Sequence, residues 1–285
     1  MNTSNPLYPT ITPDLKNWIT SQAVTFPPEA LWNTMMKSGW HRLTSAVALE
    51  VVLNIKLLPE ELPLGTPKPR PQVNMEGMPL YLDAGDKKVS VLTVVNKPHV
   101  VIFSNVLSSE ECDQLVESAR PKLKRSQTVD IKTGGEEVND VRTSNGMFFQ
   151  IGQNEIVKKL ESRIATLVNW PIEKGEGLQI LQYKPGAEYK PHYDYFDPNL
   201  SSSAIALKNG GQRVGTFIIY LHEPEQGGGT VFPDINLEVI PRKGNAVFFS
   251  YEEDSPESKT LHGGSPVIKG EKWIATKWLR ERTFK

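Results

Sequence analysis

The sequence has one cysteine in 285 residues, Cys112, so no internal disulfide can form. That excludes a disulfide-stapled extracellular scaffold and fits a reducing compartment. No run approaches eighteen consecutive apolar residues, which argues against a transmembrane helix. Met1 to Thr20 lack the basic start and apolar core of a secretory signal, so the expected location is the cytoplasm. There is no excess of one charge: 32 Lys and Arg against 33 Asp and Glu leave a formal net charge of −1. Nucleic-acid binding is disfavoured, because such proteins carry a basic excess or a basic patch. No internal repeat or low-complexity tract appears. What remains is an ordinary globular composition, 38% hydrophobic and 23% charged, on a chain long enough to bury a sizeable core.

The pattern along the chain changes twice. Residues 1–57 read as a small helical segment. Pro27-Pro28-Glu29 opens a run with Leu31, Trp32, Met35 and Met36 at helical spacing, Gly39 is a stop signal, and a second helix is expected over Leu43 to Leu57. Two short helices make a hairpin and not a self-sufficient domain. Packing onto the main domain is its plain role; substrate recognition and homodimer formation are the alternatives. Residues 58–90 read as a linker and lead-in. Pro59, Pro63, Pro67, Pro69 and Pro71 favour an extended, semi-rigid segment there.

Residues 91–285 read as the main domain. Val100 to Phe103 is a strand, and Ser108-Ser109-Glu110-Glu111 carries a capping box, Ser at the N-cap and Glu at N3. The helix that follows buries Cys112, Leu115, Val116 and Ala119, which makes Cys112 a core residue and not a reactive thiol. A second helix follows Asn154, with Ile156, Leu160, Ile164 and Leu167 on one face. From Gly177 onward the signal is strand and turn: Leu178–Tyr183, Val214–Leu221, Ala246–Phe249 and Trp273–Leu279, punctuated by Gly and Pro. The expected class is α+β: a double-stranded β-helix (jelly-roll) core with flanking helices on one face, preceded by the N-terminal helical segment.

One constellation carries chemistry. In a strand, side chains at i and i+2 share a face, so His192 and Asp194 of Pro191-His192-Tyr193-Asp194 can meet at one metal. A lone His-x-Asp is more often structural. His262, in Thr260-Leu261-His262-Gly263-Gly264, supplies a third ligand. Two histidines and one carboxylate form the facial triad of non-haem Fe(II) oxygenases, which leaves coordination positions open. A 2-oxo acid co-substrate also needs a cation for its distal carboxylate. Lys272 lies on a strand whose Lys272, Ile274, Thr276 and Trp278 share one face. A lysine pointing inward there requires an anion, because a buried unpaired charge is too costly.

These residues resemble the 2-oxoglutarate dioxygenase pattern, and more specifically its prolyl 4-hydroxylase branch. The likeness runs from about residue 95 to 282 and includes Val141-Arg142-Thr143-Ser144, Leu178 to Tyr183, Pro191 to Phe196, Gly211-Gln212-Arg213-Val214, Gly228 to Pro233 and Lys272 to Leu279. The resemblance implies that His192, Asp194 and His262 hold Fe(II) and that Lys272 pairs with the C5 carboxylate of 2-oxoglutarate. It implies that Tyr183 and Thr230 help bind the same co-substrate; by themselves they read as a core aromatic and a turn residue. It implies oxidative decarboxylation with O2, giving succinate and CO2 as a substrate C–H is hydroxylated, with ascorbate as reductant. Tyr189, Arg213, Trp278, Glu176 and Arg142 match positions that line the substrate groove. The chain departs from the family in two places: Arg280 stands where a histidine is common, and Phe148 where a tryptophan is expected near Arg142-Thr143-Ser144.

The expected substrate is a proline-containing peptide or protein. The alternative is a free amino acid or other small metabolite, whose carboxylate Arg280 could pair. A zinc hydrolase could use the same three ligands, but Lys272 and Tyr183 would then have no purpose. A catalytically dead binding module would be expected to have lost a ligand, and none is missing.

Overall fold

The computed structural model describes residues 11–38, 40, 42–55, 57, 70–126, 128–129, 136–137, 143–197, 200 and 203–285. Its chain separates into two compact units, Met1–Lys68 and Pro69–Lys285.

The first unit contains three helices among its described residues: α1 (Pro13–Gln22), α2 (Pro28–Lys37) and α3 (Arg42–Leu53). Ile19, Leu31, Met35, Ala48 and Leu49 form its core. The sequence reading holds two helices and misses α1, whose apolar positions are sparse. Its start is nevertheless written locally. Thr12 caps it by accepting the Leu15 N–H at 3.2 Å, and Pro13 stands in the first turn, where no N–H is needed. The helix expected to end at Leu57 stops at Leu53, with Asn54 in the left-handed region. Gly39 and Pro59, Pro63, Pro67 and Pro69 of the linker lie outside the described residues.

The second unit is the jelly roll. In chain order its strands are β1 (Tyr81–Asp83), β2 (Lys88–Val95), β3 (His99–Ser104), β4 (Lys124–Arg125), β5 (Thr128–Val129), β6 (Glu136–Glu137), β7 (Asn145–Phe149), β8 (Leu178–Tyr183) and β9 (Tyr189–His192). Beyond these come β10 (Arg213–His222), β11 (Gln226–Gly227), β12 (Thr230–Phe232), β13 (Leu237–Val239), β14 (Ala246–Ser250), β15 (His262–Gly264), β16 (Val267–Lys269) and β17 (Lys272–Arg280). Its helices are α4 (Ser109–Ala119), α5 (Glu155–Leu167) and the short α6 (Ser203–Lys208). Nine strands form one antiparallel sheet in the order β1-β2-β3-β14-β10-β17-β8-β7-β4, and four form a second, β13-β12-β15-β9. Because β1 pairs with β2 at the edge of the large sheet, much of the expected lead-in is part of the domain.

Alternation along the strands sorts the two cores. Trp273, Ala275, Leu279, Phe217, Ile219, Leu221, Ala246 and Phe248 face α4 and α5, with Leu115, Val116, Leu160 and Ile164 against them. Ile274, Ile218, Tyr220, Val247, Phe249, Leu181 and Tyr183 face the small sheet, with Phe232 and Val239. The capping box of α4 is present, Ser108 accepting from Glu111 N–H and Glu111 accepting from Ser108 N–H. Glu111 also joins Asp86 in binding the buried Arg163 of α5, which fixes both helices to the β1–β2 turn. Cys112 is buried, and burial pushes its thiol up to about 12, as expected of an inert core residue.

Candidate active site

The register of two strand pairs assembles the site. His262 of β15 pairs directly with His192 of β9, so their rings lie 4.5 Å apart. Lys272 of β17 pairs directly with Tyr183 of β8. All four side chains line one pocket between the two sheets, with Asp194, Thr230, Tyr189, Ile274, Thr276 and Trp278. Asp194 is not on the strand. β9 ends at His192 and Asp194 sits in the bend that follows. The start of β10 holds that bend in place. Gln212 accepts the Phe196 N–H at 2.8 Å and donates to the Phe196 carbonyl at 2.7 Å. Arg213 reaches the Asp194 carbonyl, and Thr216 donates to Asp194 Oδ2 at 2.7 Å.

The ligand atoms of His192, Asp194 and His262 all lie within 4.8 Å of one another, and they are the cluster able to hold a metal ion found among the described residues. Each imidazole directs Nδ1 at a backbone carbonyl two residues earlier, Lys190 for His192 and Thr260 for His262, both at 2.9 Å. A carbonyl only accepts, so Nδ1 carries the proton and Nε2 keeps its lone pair. The two Nε2 atoms then face Asp194 at 3.4 Å, His192 toward Oδ1 and His262 toward Oδ2. Burial, with the adjacent His262, lowers the basicity of His192 and favours the neutral ring. Burial would raise the Asp194 carboxyl, but its contacts with His262 and His192 hold it well below the usual carboxylate range. Converging lone pairs of this kind fit a bound divalent cation.

Lys272 is 3% exposed, and no carboxylate of the described residues pairs with it. Burial pulls its ammonium down to about 7, with Glu238 the group that acts to raise it. Its ammonium lies 5.6 Å from the Tyr183 ring and 5.7 Å from the Tyr220 ring. Gly228, at φ +72°, keeps space open here, because a Cβ would come to 3.2 Å from Lys272 Cδ. Thr230 stands in the same pocket and accepts from the Tyr220 hydroxyl at 2.8 Å. A buried cation among hydroxyls, without its own anion, fits a carboxylate co-substrate.

The other expected site residues divide. Tyr189 stacks on His192 at 3.7 Å, and Trp278 lines the pocket with its indole N–H unpartnered among the described residues. Arg213 lies 4.0 Å over the Trp278 ring. Glu176 lies behind them and off the pocket lining, accepting from Arg213 Nε at 2.7 Å and Nη2 at 3.0 Å. Arg280 differs from the expectation of a free carboxylate clamp. It is buried and bound to Glu176 and to the Ala206 and Asn209 carbonyls at the end of α6, and it does not line the pocket. Thr143 and Ser144 hold backbone and hydroxyl partners away from it: Thr143 bonds Glu188, and Ser144 bonds Ser126. Arg142 lies outside the described residues. Thr216 and Tyr251, which touch Asp194, went unnoticed in the sequence. The available signal for Thr216 was a single polar residue on the inward face of an apolar strand.

A jelly roll with this triad and a buried lysine has the architecture of a metal-dependent oxygenase that uses a 2-oxo acid. Comparison with known proteins is specific. The model of the 2OG-Fe(II) oxygenase superfamily matches residues 178–280, from β8 to the end of β17. Prolyl 4-hydroxylase 5 of Arabidopsis thaliana is 39% identical over 222 residues, covering 70% of this chain and 74% of that protein. Prolyl 4-hydroxylase 1 of the same plant is 39% identical over 224 residues, covering 70% and 77%. A viral collagen prolyl hydroxylase from Paramecium Bursaria Chlorella virus-1, solved with 2-oxoglutarate, is 30% identical at a TM-score of 0.49, over 64% of this chain and 94% of that one. The chain belongs to the prolyl 4-hydroxylase family of the 2-oxoglutarate- and Fe(II)-dependent oxygenases. It is a dioxygenase that uses Fe(II), 2-oxoglutarate and O2.

Proposed function

We propose that the protein 4-hydroxylates proline within a peptide or protein chain. His192, Asp194 and His262 hold Fe(II) through two Nε2 atoms and one carboxylate, and Lys272 anchors the C5 carboxylate of 2-oxoglutarate. Tyr183 and Thr230 offer hydroxyls to the same molecule, with Thr230 oriented by Tyr220. When bound, iron, oxo acid and O2 supply the oxidising chemistry, with decarboxylation to succinate. The buried apolar walls, Leu181, Ile218 and Ile274, keep water from the reacting atoms.

The observation that carries the peptide reading is the rim beside Trp278. Trp278 lines the pocket with its indole N–H buried and unpartnered among the described residues, Arg213 lies over its ring, and Phe148, 54% exposed, stands 6.5 Å away. Aromatic faces such as those of Trp278, Tyr189 and the exposed Phe148 suit a proline ring. The names of the relatives agree. A free amino acid would need a second cation for its carboxylate. Arg213 and Arg280, the arginines beside Trp278 among the described residues, are both already engaged by Glu176, which weighs against that reading. Ascorbate serves as the reductant that restores Fe(II), and the cytoplasm is the site of action.

Mass spectrometry of turnover mixtures with Fe(II), 2-oxoglutarate and ascorbate tests this, using proline-rich peptides, free proline and a His262→Ala control. An added oxygen atom on a peptidyl proline is expected. Addition to free proline alone would overturn the peptide claim and keep the oxygenase.

A further inference from the structure

Thr216 is completely buried on the inward face of β10, where its neighbours Ile218 and Tyr220 are core residues. A hydroxyl in such a place is destabilising unless it is hydrogen-bonded. It donates to Asp194 Oδ2 at 2.7 Å. Tyr251 follows β14 and is equally buried; its hydroxyl meets both Thr216 Oγ1 and, at 3.5 Å, Asp194 Oδ2. The donor directions can be assigned. The carboxylate only accepts, so the Thr216 proton goes to Asp194, and Tyr251 is the donor in its contact with Thr216. His262 Nε2 also stands 3.4 Å from Oδ2, whereas Oδ1 has His192 Nε2 at 3.4 Å and no hydroxyl.

We infer that Thr216 and Tyr251 form a two-hydroxyl relay that occupies Asp194 Oδ2 and leaves Oδ1 as the oxygen that ligates the metal. This matters most because Asp194 lies past the end of β9, where no strand pairing fixes its side chain. A carboxylate held by one oxygen takes one coordination position and not two, which keeps the others available to co-substrate and O2. Thr216 and Tyr251 are positioning residues: they touch the ligand and not the reacting atoms. The inference rests on His192, Asp194 and His262 being the metal ligands.

The test uses the full chain and Co(II) as the probe ion. Calorimetry gives the affinity and the visible absorption spectrum reports the coordination. Thr216→Val keeps the volume and removes the hydroxyl; it is expected to weaken Co(II) about 10- to 100-fold and to alter the spectrum. Thr216→Ser restores both, and Tyr251→Phe gives an intermediate loss. If Thr216→Val does not fold, Tyr251→Phe, which keeps the ring, carries the comparison. Wild-type affinity and spectrum in these variants would overturn the relay. Equal damage from Thr216→Ser and Thr216→Val would also overturn it, by showing a packing role. Absence of Co(II) binding in the wild-type chain would overturn the metal site itself, and the relay with it.

Discussion

Holding Lys272 buried costs stability in its charged form. Burial draws its ammonium to about 7 from an ordinary 10.5. Between those values the unfolded chain binds more protons than the native one, so this group makes stability rise with pH across that window. Lys272→Met removes the buried charge at similar volume. Its Tm without co-substrate should increase by about 2–4 °C for each kcal/mol recovered, while 2-oxoglutarate binding weakens at least about 10- to 100-fold. A variant that is both less stable and still binds normally would remove Lys272 from the role. The same group predicts a pH effect on the co-substrate. A carboxylate beside Lys272 raises its pKa, so affinity is full below about 7 and falls as pH rises above it, by about tenfold per unit until the bound-state value is reached. Calorimetric titration from pH 6.5 to 9 measures this, and a flat Kd would contradict it. Glu176 poses the opposite problem. Arg213 and Arg280 face each other across β10 and β17, and Glu176 Oε1 accepts from both. Glu176→Gln leaves two like charges side by side, Arg280 buried and Arg213 partly buried, a loss of about 3–5 kcal/mol, or about 6–20 °C in Tm. No change in thermal unfolding would show the pair to be tolerated without it.

At the level of elements, the pocket lining was legible where strand periodicity alone decides. Lys272, Ile274, Thr276 and Trp278 share the inward face, as their spacing of two requires. The four long strands read from sequence lie within β8, β10, β14 and β17. What a single strand cannot reveal is which residue of another strand it meets. Thr216 and Tyr251 are separated by 35 positions, and their meeting at Asp194 depends on the register of β10 with β14. Arg280 was misread for a related reason. Its strand position is inward, but its long side chain turns under α6, whose location is a tertiary fact. Register also makes a local prediction. Gly263 lies in β15 opposite β9, and a Cβ there would come to 2.8 Å from the Tyr189 carbonyl and 3.0 Å from the Pro191 nitrogen. These are backbone atoms, so no side chain can swing away. Gly263→Ala should therefore push β15 from β9 and separate His262 from His192, with Co(II) affinity falling about 10- to 100-fold. Wild-type Co(II) binding in Gly263→Ala would mean that the pair tolerates the shift.

Across the whole molecule, every residue of the pocket lies in the unit Pro69–Lys285, between Leu181 and Trp278. That unit owns two cores, one under α4 and α5 and one between the sheets, whereas the N-terminal helices form a core of their own. Core ownership predicts that Pro69–Lys285 folds alone and binds Co(II) and 2-oxoglutarate with the affinities of the full chain. Ligand linkage supplies the measurement. At a free concentration of about 100 Kd, a ligand that binds only the native state adds about 2.7 kcal/mol, which in a unit of this size is a rise of about 5–11 °C in Tm. The isolated unit should show that rise at the same ligand concentrations as the full chain. A fragment that folds but needs tenfold more 2-oxoglutarate would assign the N-terminal helices a part in co-substrate binding. A fragment that does not fold would assign them a part in the stability of the jelly roll.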